Sequence, residues 1–351
     1  MKTIWYKLDA IGKGSIIVIA LLALMAIFAF AFIPDKSANA NSMHIQLAAA
    51  KPGTKYMVLQ LPAKDESGFI NQLFFGRNKA PVEHVIVDFK EHNGLISYQE
   101  VENGQWKEFQ LPEGKSLSDV VLYKKFDLGS DNYGRDYFSR LVLGSRVSLS
   151  VGFIAVFISL LIGIPLGAIA GYYRGWVDNV IMWMINVIWS IPTLLMVIAL
   201  TFVLGKGFWQ VFVAVGLTMW VEVARVIRGQ VLSLREKEFV DAARVLGFND
   251  FRILFKHILP NALSPVIVIS AANFASAILI ESGLSFLGIG AQPPVASWGG
   301  MIRDHYAYVI MGKPFLALLP GFAIMTAVLA FMALGNSLRD ALDVKLNPSK
   351  A

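Results

Sequence analysis

The chain has 351 residues, of which 56% are hydrophobic and 16% charged, and its mean hydropathy is +0.57. Soluble domains average about 45–50% apolar and about 25% charged residues, so both values favour a membrane protein. The apolar residues form long uncharged runs, which excludes an ordinary soluble enzyme and a disordered chain. The sequence has no cysteine, so a disulfide, a thiolate metal site and a catalytic thiol are also excluded.

Six segments are apolar and long enough to be predicted as membrane-spanning helices. A hydrocarbon core about 30 Å thick requires roughly 20 apolar residues in a helix. The fourth segment is the shortest, and it spans the membrane only if Val223 and Ala224 extend the helix past Glu222. The predicted spans are residues 15–33, 147–173, 180–204, 208–221, 262–280 and 315–335.

The first segment has one alternative interpretation, a cleaved signal peptide. Three lysines precede it, and residues 38–40 (Ala-Asn-Ala) resemble a small-residue cleavage site. Its apolar run is longer than the roughly 7–15 residues of a signal-peptide core, which favours a retained first helix.

The Lys and Arg residues of the short loops predict the orientation, because these residues accumulate on the cytoplasmic side. With both termini in the cytoplasm, the basic residues of 223–260 lie on that side, whereas the opposite short loops carry few. Acidic and basic residues balance in the long segment 34–146. The net charge of +6 therefore reflects membrane topology, and nucleic acid is not an expected partner.

The segment between the first and second spans has the composition of a small β-rich domain. Short runs of Val, Ile and Tyr there are typical of strands. Two further runs alternate in polarity around Asn103-Gly104, a pair that supplies the positive φ values of a type I′ turn. The predicted strands are residues 55–61, 84–89, 95–102, 105–111 and 120–126.

We therefore predict a β-rich insertion at residues 34–124, outside the membrane. The favoured role of this insertion is a cap or spacer that contacts a partner protein. A substrate-binding site within it is the alternative.

The loop between the fourth and fifth spans predicts two short helices. In the first helix four small or apolar residues recur at helical spacing, and acidic residues lie in the first turns, where the helix dipole favours them. Gly247 can adopt the left-handed conformation that ends this helix. The recurring residues are Phe239, Ala242, Ala243 and Leu246.

The second helix begins with Asn249 or Asp250 as its N-cap. Pro260 is expected to end it before the fifth span begins. Its predicted apolar stripe consists of Phe251, Leu254, Phe255 and Ile258.

Small side chains at the turn make the loop a compact projection that can enter a groove of another protein. Phe239 and Leu246 would be its apolar anchors. Charged residues would set the register at the rim, namely Glu238, Asp241 and Arg244. The alternative is a helical hairpin that only packs on its own protein.

This loop resembles a known family motif. Asp241-Ala242-Ala243, three residues, Gly247, nine residues and then His257-Ile258-Leu259-Pro260 are similar to the EAA loop of importer-type ABC permeases. The resemblance implies a coupling helix that inserts into a cleft of an ATP-hydrolysing subunit. Asp241 stands where Glu is usual, and His257 stands where Ile is usual.

Residues 128–149 and 281–300 are similar to one branch of that family, the second permease of dipeptide, oligopeptide and nickel importers. The resemblance implies an all-α polytopic protein of the bacterial inner membrane, with six transmembrane helices in the importer-type ABC permease fold. It implies a tail and first helix at 1–33, a permease core at 125–338 with a coupling loop at 225–261, and a cytoplasmic tail at 339–351. The insertion at 34–124 is longer than the connection typical of this branch, so contacts with a binding protein do not transfer to it.

The same resemblance implies the partners. They are a second homologous permease, two cytoplasmic ATP-binding subunits, an extracytoplasmic substrate-binding protein and the lipid bilayer. ATP and Mg would be bound by the partner subunits, because Gly12-Lys13 lacks the P-loop spacing. No catalytic residue, cofactor or metal site is predicted here, since the five histidines lack the spacing of metal ligands.

Polar residues within the spans are candidates for a translocation path. Hydrogen bonds between helices explain such residues equally well. The candidates are Asn186, Ser190, Asn273 and Ser276.

The resulting hypothesis is a permease subunit that forms half of a translocation path for short peptides. Nickel is the alternative cargo. An ion-coupled secondary transporter is a rival hypothesis, and it requires a buried acid or histidine in mid-span and an internal repeat. A membrane-anchored scaffold that displays the outer domain is another.

Overall fold

The computed structural model describes residues 6–61, 68–77, 81–92, 95–101, 104–111, 116–205 and 207–342, and every structural statement below concerns these residues. The helices are α1 (Ala10–Ile27), α2 (Ala29–Phe32), α3 (Phe69–Phe75), α4 (Leu117–Val120), α5 (Tyr137–Tyr173), α6 (Gly175–Trp189), α7 (Thr193–Leu204), α8 (Phe208–Leu234), α9 (Glu238–Val245), α10 (Asp250–Arg252), α11 (Ser264–Phe286), α12 (Trp298–His305) and α13 (Phe315–Leu342). The strands are β1 (Lys55–Leu61), β2 (Val82–His92), β3 (Leu95–Glu100), β4 (Trp106–Gln110) and β5 (Val121–Lys125).

Among the described residues, five helices are long and apolar enough to cross a membrane: α1, α5, α8, α11 and α13. Helices α6 and α7 meet the same criterion only together, and they are bent by 92° at the break between them. The third predicted span, residues 180–204, is therefore not one straight helix, and it is a sixth span only if the bent pair crosses the membrane as one. Pro192 lies at the break with a φ of −54° and a ψ of 125°, which is not helical, and its ring also disfavours a helical conformation for the residue before it.

The fourth predicted span is longer than residues 208–221, because α8 continues to Leu234. Glu222 is exposed, whereas the next two residues, Val223 and Ala224, are buried. The apolar face of α8 thus passes Glu222 without interruption, as the extension of this span required. Helix α5 also starts earlier than expected, at Tyr137, where Asp136 Oδ2 accepts the Ser139 N–H at 2.8 Å.

The chain divides into two compact units. The helical unit comprises residues Met1–Ala23, Val147–Gln292 and Phe322–Ala351, and the sheet unit comprises Leu24–Arg146 and Pro293–Gly321. The domain limits predicted from the sequence stay predictions, and the predicted tail 339–351 lies outside the described residues from residue 343 onward.

The sheet unit contains five antiparallel strands in the order β4-β3-β2-β1-β5. The predicted hairpin is present as β3 and β4, which pair Leu95 with Gln110 and Gln99 with Trp106. Gly104 has a φ of +64°, whereas Asn103 lies outside the described residues. Helix α3 has no counterpart in the sequence prediction. The core of the sheet is formed by Leu59, Ile86, Ile96, Tyr98, Val120 and Val121.

In the helical unit, glycines at every fourth position of α5 face the backbone of α8. A Cβ atom at Gly163 would lie 2.7 Å from the Trp220 carbonyl oxygen, and one at Gly167 would lie 2.3 Å from the Ala224 carbonyl oxygen. A Cβ at Gly171 would lie 2.8 Å from the carbonyl oxygen of Arg228. Small residues at this spacing allow two helices to approach until their backbones touch. No larger residue fits this α5–α8 contact without moving one helix.

Replacing Gly167 with alanine should therefore destabilise the helical unit. We expect Gly167→Ala to lower the free energy of unfolding by about 1–3 kcal/mol, as overpacking does. Thermal unfolding of the purified protein in detergent measures this. The matched control is Gly229→Ala in α8, where a Cβ would meet no heavy atom within 4 Å. Equal melting temperatures for the two variants would contradict the prediction.

The sheet unit should lose stability in acid through Glu83. Burial raises the pKa of Glu83, but the hydrogen bonds and charges of His44 and Lys124 together lower it by more. The net pKa of Glu83 therefore lies below its ordinary value. Ionised Glu83 therefore stabilises the fold above its ordinary pKa of about 4.3, and this contribution is lost as the pH falls through the lowered value.

Hydrogen exchange of β1 and β2 amides between about pH 6 and pH 3, corrected for the intrinsic pH dependence, measures this loss. We expect Glu83→Gln to remove part of the pH dependence. Glu108→Gln on β4, at an exposed position, is the control. A pH profile of Glu83→Gln identical to that of the unmodified chain would disprove the role of Glu83.

Candidate functional site

Helix α9 packs against the rest of the helical unit through its buried face. Val240 and Ala243 pack in one core cluster with Ile253 and Leu254, which follow α10. The same cluster includes residues of α5 and α8, among them Tyr172 and Ile227. Because Val240 and Ala243 are three residues apart, they lie on the same side of α9. This helix is therefore fixed to the ends of two long apolar helices.

A glycine turn ends α9. Gly247 has a φ of +75°, and its N–H donates to the Arg244 carbonyl at 2.9 Å. The Phe248 N–H donates to the Ala243 carbonyl at 3.2 Å, which completes a Schellman motif. The predicted left-handed cap at Gly247 is thus confirmed. Of the two predicted N-caps, Asn249 takes the role, since its Oδ1 accepts the Arg252 N–H at 2.9 Å.

The second helix differs from its prediction at its C-terminal end and in its apolar stripe. Helix α10 continues through a π-helical turn, Ile253–Ile258, and a further α-helical turn, Leu259–Ala262. Pro260 therefore lies within the run and does not end it, because an early position of a helical turn tolerates the missing N–H. Phe251 was predicted in the buried stripe, but 68% of its surface is exposed.

Polar contacts hold the loop against the end of α5. The Tyr172 hydroxyl donates to Asp250 Oδ1 at 2.6 Å, and the Arg235 guanidinium donates to the Tyr172 carbonyl. Arg174 and Glu236 form an exposed ion pair at 2.5 Å. The hydrogen bond from Arg174 lowers the pKa of the Glu236 carboxyl. The contact between Tyr172 and Asp250 has the greater structural weight, because exposed ion pairs contribute little.

The outer side of the loop exposes apolar side chains. The exposed fractions are 89% for Val245, 71% for Leu246 and 40% for Phe239. With Phe251, these residues form what we call the exposed loop face. The sequence analysis suggested Phe239 and Leu246 as anchors. It did not identify Val245 as a further exposed apolar residue or Val240 as the residue that holds the buried side of the helix. The spacing of Val240 and Ala243 was the available signal for the buried side.

The remaining residues predicted for the loop are exposed, apart from Ala243. Arg244 and Asp241 form an ion pair at 3.0 Å on the helix surface. Their spacing of three residues explains this contact. The sequence prediction that both residues lie at the rim of a docking interface stays a prediction. The exposed residues are Glu238, Asp241, Ala242, Arg244, Gly247 and Pro260, whereas Ala243 is buried.

Two of the predicted path residues lie beside the break between α6 and α7. Asn186 Oδ1 accepts a hydrogen bond from Arg225 at 2.8 Å, and Ser190 donates to the Val187 carbonyl at 2.7 Å. The Arg225 guanidinium also stacks on the Trp189 ring, 3.6 Å from its centroid. The sequence prediction missed this arginine.

The other two path residues lie one turn apart on α11. Asn273 is buried, and its Nδ2 has no hydrogen-bond partner among the described residues, while Ser276 is half-buried. No hydrogen bond within the described ranges joins this pair to Asn186 or Ser190. Across all the residues that the structure describes, no group of three or more His, Asp and Glu residues could hold a metal ion.

A set of apolar helices long enough to span a membrane, with a projecting helical loop between two of them, is the architecture of a multi-pass membrane protein. The family described as binding-protein-dependent transport system inner membrane component matches residues 163–349, which is more than half of the chain. The chain belongs to this family.

Relatives agree with the family assignment. The chain is 42% identical over 219 residues to a glutathione transport system permease protein of Pectobacterium atrosepticum, covering 62% of this chain and 72% of the relative. It is 43% identical over 234 residues to a dipeptide transport system permease protein of Bacillus subtilis, covering 66% and 73%. A solved chain of the inward-facing MetNI methionine ABC transporter has a TM-score of 0.45 at 20% identity, covering 57% of this chain and 96% of that one.

Removing the tyrosine contact should loosen the loop. Tyr172→Phe deletes a hydrogen bond worth about 1 kcal/mol, because Asp250 regains water when the bond is lost. We expect amide exchange over residues 238–252 to be roughly fivefold faster, as measured by mass spectrometry. Tyr173→Phe is the matched control, since that neighbouring side chain is half exposed. Equal exchange in both variants would show that apolar packing alone holds the loop.

Proposed function

We propose that this chain forms half of a translocation path for short peptides and is driven by separate ATPase subunits that dock on residues 238–251. The observation that carries this proposal is the division of α9 into two sides. Val240 and Ala243 are buried in the chain's own core, whereas Val245 and Leu246 are exposed. A loop that served only to pack on its own protein would have no reason to expose its largest apolar side chains next to a tight turn.

Docking on the exposed loop face would be favoured by burial of its apolar side chains. Burial of apolar surface contributes roughly 25 cal/mol per Å², and a few apolar anchors supply most of the binding energy of an interface. Leu246, Val245 and Phe239 are anchors of this kind. The charges of Glu238, Asp241 and Arg244 surround them and would set the register with the partner.

The attachment of α9 supports a coupling role. Its buried side contacts the core that α5 and α8 share, and Tyr172 hydrogen-bonds to Asp250. A displacement of the docked partner would therefore be transmitted to two long helices as a rigid movement. ATP and Mg would be bound by the partner subunits, and their closure would rock the helices between inward-open and outward-open states.

The cargo is inferred from the named relatives, which are dipeptide and glutathione transport permeases. Peptide is thus favoured over nickel as the cargo of this chain. A second homologous permease would complete the path, and an extracytoplasmic binding protein would deliver the peptide. We place the termini in the cytoplasm and residues 34–146 outside it, in accordance with the distribution of Lys and Arg.

The path would pass the break between α6 and α7. Asn186 and Ser190 lie at this break, and Asn273 offers a buried amide on α11. Arg225, which contacts Asn186, adds a cation suited to the carboxylate of a peptide. These residues are proposed to line the path.

The test is a substitution on the exposed loop face. Leu246→Asp places a charge in the proposed interface, and the side chain is exposed, so the chain should fold normally. Hot-spot substitutions cost about 2 kcal/mol or more, so capture of the ATPase subunits should fall roughly tenfold or more. ATP-driven uptake of a labelled dipeptide into proteoliposomes that contain the full complex should fall in parallel.

Ile310→Asp is the matched control, because 93% of Ile310 is exposed and it lies outside the loop. This variant should keep both ATPase capture and uptake. Unchanged uptake in Leu246→Asp would refute docking at this site. Uptake driven by an ion gradient without ATP would instead support the secondary-transporter hypothesis, and nickel uptake without dipeptide uptake would overturn the inferred cargo.

A further inference from the structure

The sheet unit contains a polar pocket of about 280 Å³. The pocket lies outside residues 163–349, which match the family. Tyr56 and Phe126 line it as a stacked pair, with ring centroids 4.4 Å apart and planes inclined by 26°. Small-molecule sites combine aromatic side chains with a few placed polar groups, and this pocket has a larger share of charged side chains than is usual.

One group of charges in this pocket is internally paired. Glu83 binds Lys124 through Oε1 at 2.5 Å and His44 through Oε2 at 3.3 Å. Gln60 also donates to Glu83 Oε1 at 3.1 Å. This network forms one wall of the pocket and leaves little charge for a ligand to neutralise.

A second group consists of two cations held side by side. The Arg77 N–H donates to the Lys36 carbonyl at 2.7 Å, so the two backbones run together. Burial lowers the pKa of Lys36, and the charge of Arg77 lowers it further. The Arg77 guanidinium is exposed and has no ion-pair or hydrogen-bond partner among the described residues. The Lys36 ammonium also donates to the Phe30 carbonyl, a neutral acceptor that leaves its charge uncompensated. Two neighbouring cations would be stabilised by an anion.

A third group consists of two acids held side by side. The Asp35 N–H donates to Ser139 Oγ at 3.1 Å, and the Ser139 hydroxyl donates in turn to Asp136 Oδ2. Burial raises the pKa of Asp136, and the charge of Asp35 contributes to the increase. Both donors from Ser139 contact the same oxygen of Asp136, which leaves the other oxygen available for a ligand. The Asp35 carboxylate already accepts the Ser37 N–H at 2.9 Å and the Ser42 hydroxyl at 3.1 Å through Oδ1, and the Ser42 N–H at 3.0 Å through Oδ2. These donors are neutral, so two neighbouring carboxylates would still be stabilised by a cation.

We propose that this pocket binds a small zwitterion, a free amino acid or a dipeptide. Its carboxylate would contact Lys36 and Arg77, its ammonium group would contact Asp35 and Asp136, and its side chain would pack on Tyr56. The volume lies just below the range of roughly 300–1,000 Å³ found for pockets of drug-sized ligands, which excludes a long peptide. A metal ion is not the favoured ligand, because no described group of three or more His, Asp and Glu residues could hold one.

This site is separate from the proposed path and does not depend on what the chain transports. A pocket lined by both cations and acids recognises molecules with free termini. The sheet unit that contains it would therefore respond to short peptides or amino acids. Charge complementarity at both ends makes the site selective, because a ligand that lacks either charge leaves one pair of like charges unneutralised.

Isothermal titration calorimetry on the full chain in lipid nanodiscs tests the proposal. The probes are L-alanyl-L-alanine, its N-acetyl derivative, which lacks the ammonium group, and its C-terminal amide, which lacks the carboxylate. We expect saturable binding of the dipeptide and a roughly tenfold to hundredfold loss for each blocked form, since charge-assisted hydrogen bonds are removed.

Arg77→Gln should weaken binding of the dipeptide by a similar factor. It should not weaken binding of the C-terminal amide further, because the amide no longer carries the carboxylate that Arg77 would contact. Lys55→Gln is the matched control, since it removes one positive charge from an exposed position of β1 that does not line the pocket. The control should bind the dipeptide as the unmodified chain does.

Three results would overturn the proposal. They are the absence of saturable binding at millimolar dipeptide, equal binding of the blocked forms, and equal binding by Arg77→Gln. In the last case the dipeptide would occupy the translocation path instead. Leu246→Asp should leave this binding unchanged, so failure of the pocket and failure of ATPase docking are distinguished by different variants.

Discussion

The close contact between α5 and α8 is the constraint on which the helical unit depends. Gly163, Gly167 and Gly171 bring the α5 backbone against carbonyl groups of α8, and the Val223 and Val231 side chains of α8 pack against two of these glycines. The same two helices supply the surface on which α9 packs, through Tyr172 and Ile227. A displacement of the loop would therefore move these two packed helices together, as the proposed coupling to ATPase subunits requires.

The loop combines two opposite demands on one short helix. Val240 and Ala243 are apolar and hold α9 in place, whereas Leu246 is apolar although it is exposed, as the proposed docking requires. The Schellman turn at Gly247 makes both possible, because it reverses the chain within one residue of the exposed anchors. In the sheet unit the comparable feature is the polar pocket, where like charges are kept together by backbone contacts and by Ser139.

Local patterns in the sequence predicted several elements well. β1 coincides with its predicted residues, the β3–β4 hairpin is present, and the left-handed residue at Gly247 is where the glycine suggested it. These features depend on side-chain alternation, turn chemistry or a glycine, all of which are encoded within a few residues. Local hydrophobicity did not reveal the bend within residues 180–204, where a continuous apolar run is bent by 92°.

The sequence by itself determined the membrane class, the position of the projecting loop and the presence of a β-rich insertion, because each follows from composition or short periodicity. Only the tertiary structure decided which side of α9 is buried, since Val240 and Val245 are equally apolar in the sequence. It also decided that Phe251 is exposed and that Arg225 meets Asn186. Residues 35 and 136 meet in one pocket through distant parts of the chain, and contacts between distant residues are what a local pattern does not contain.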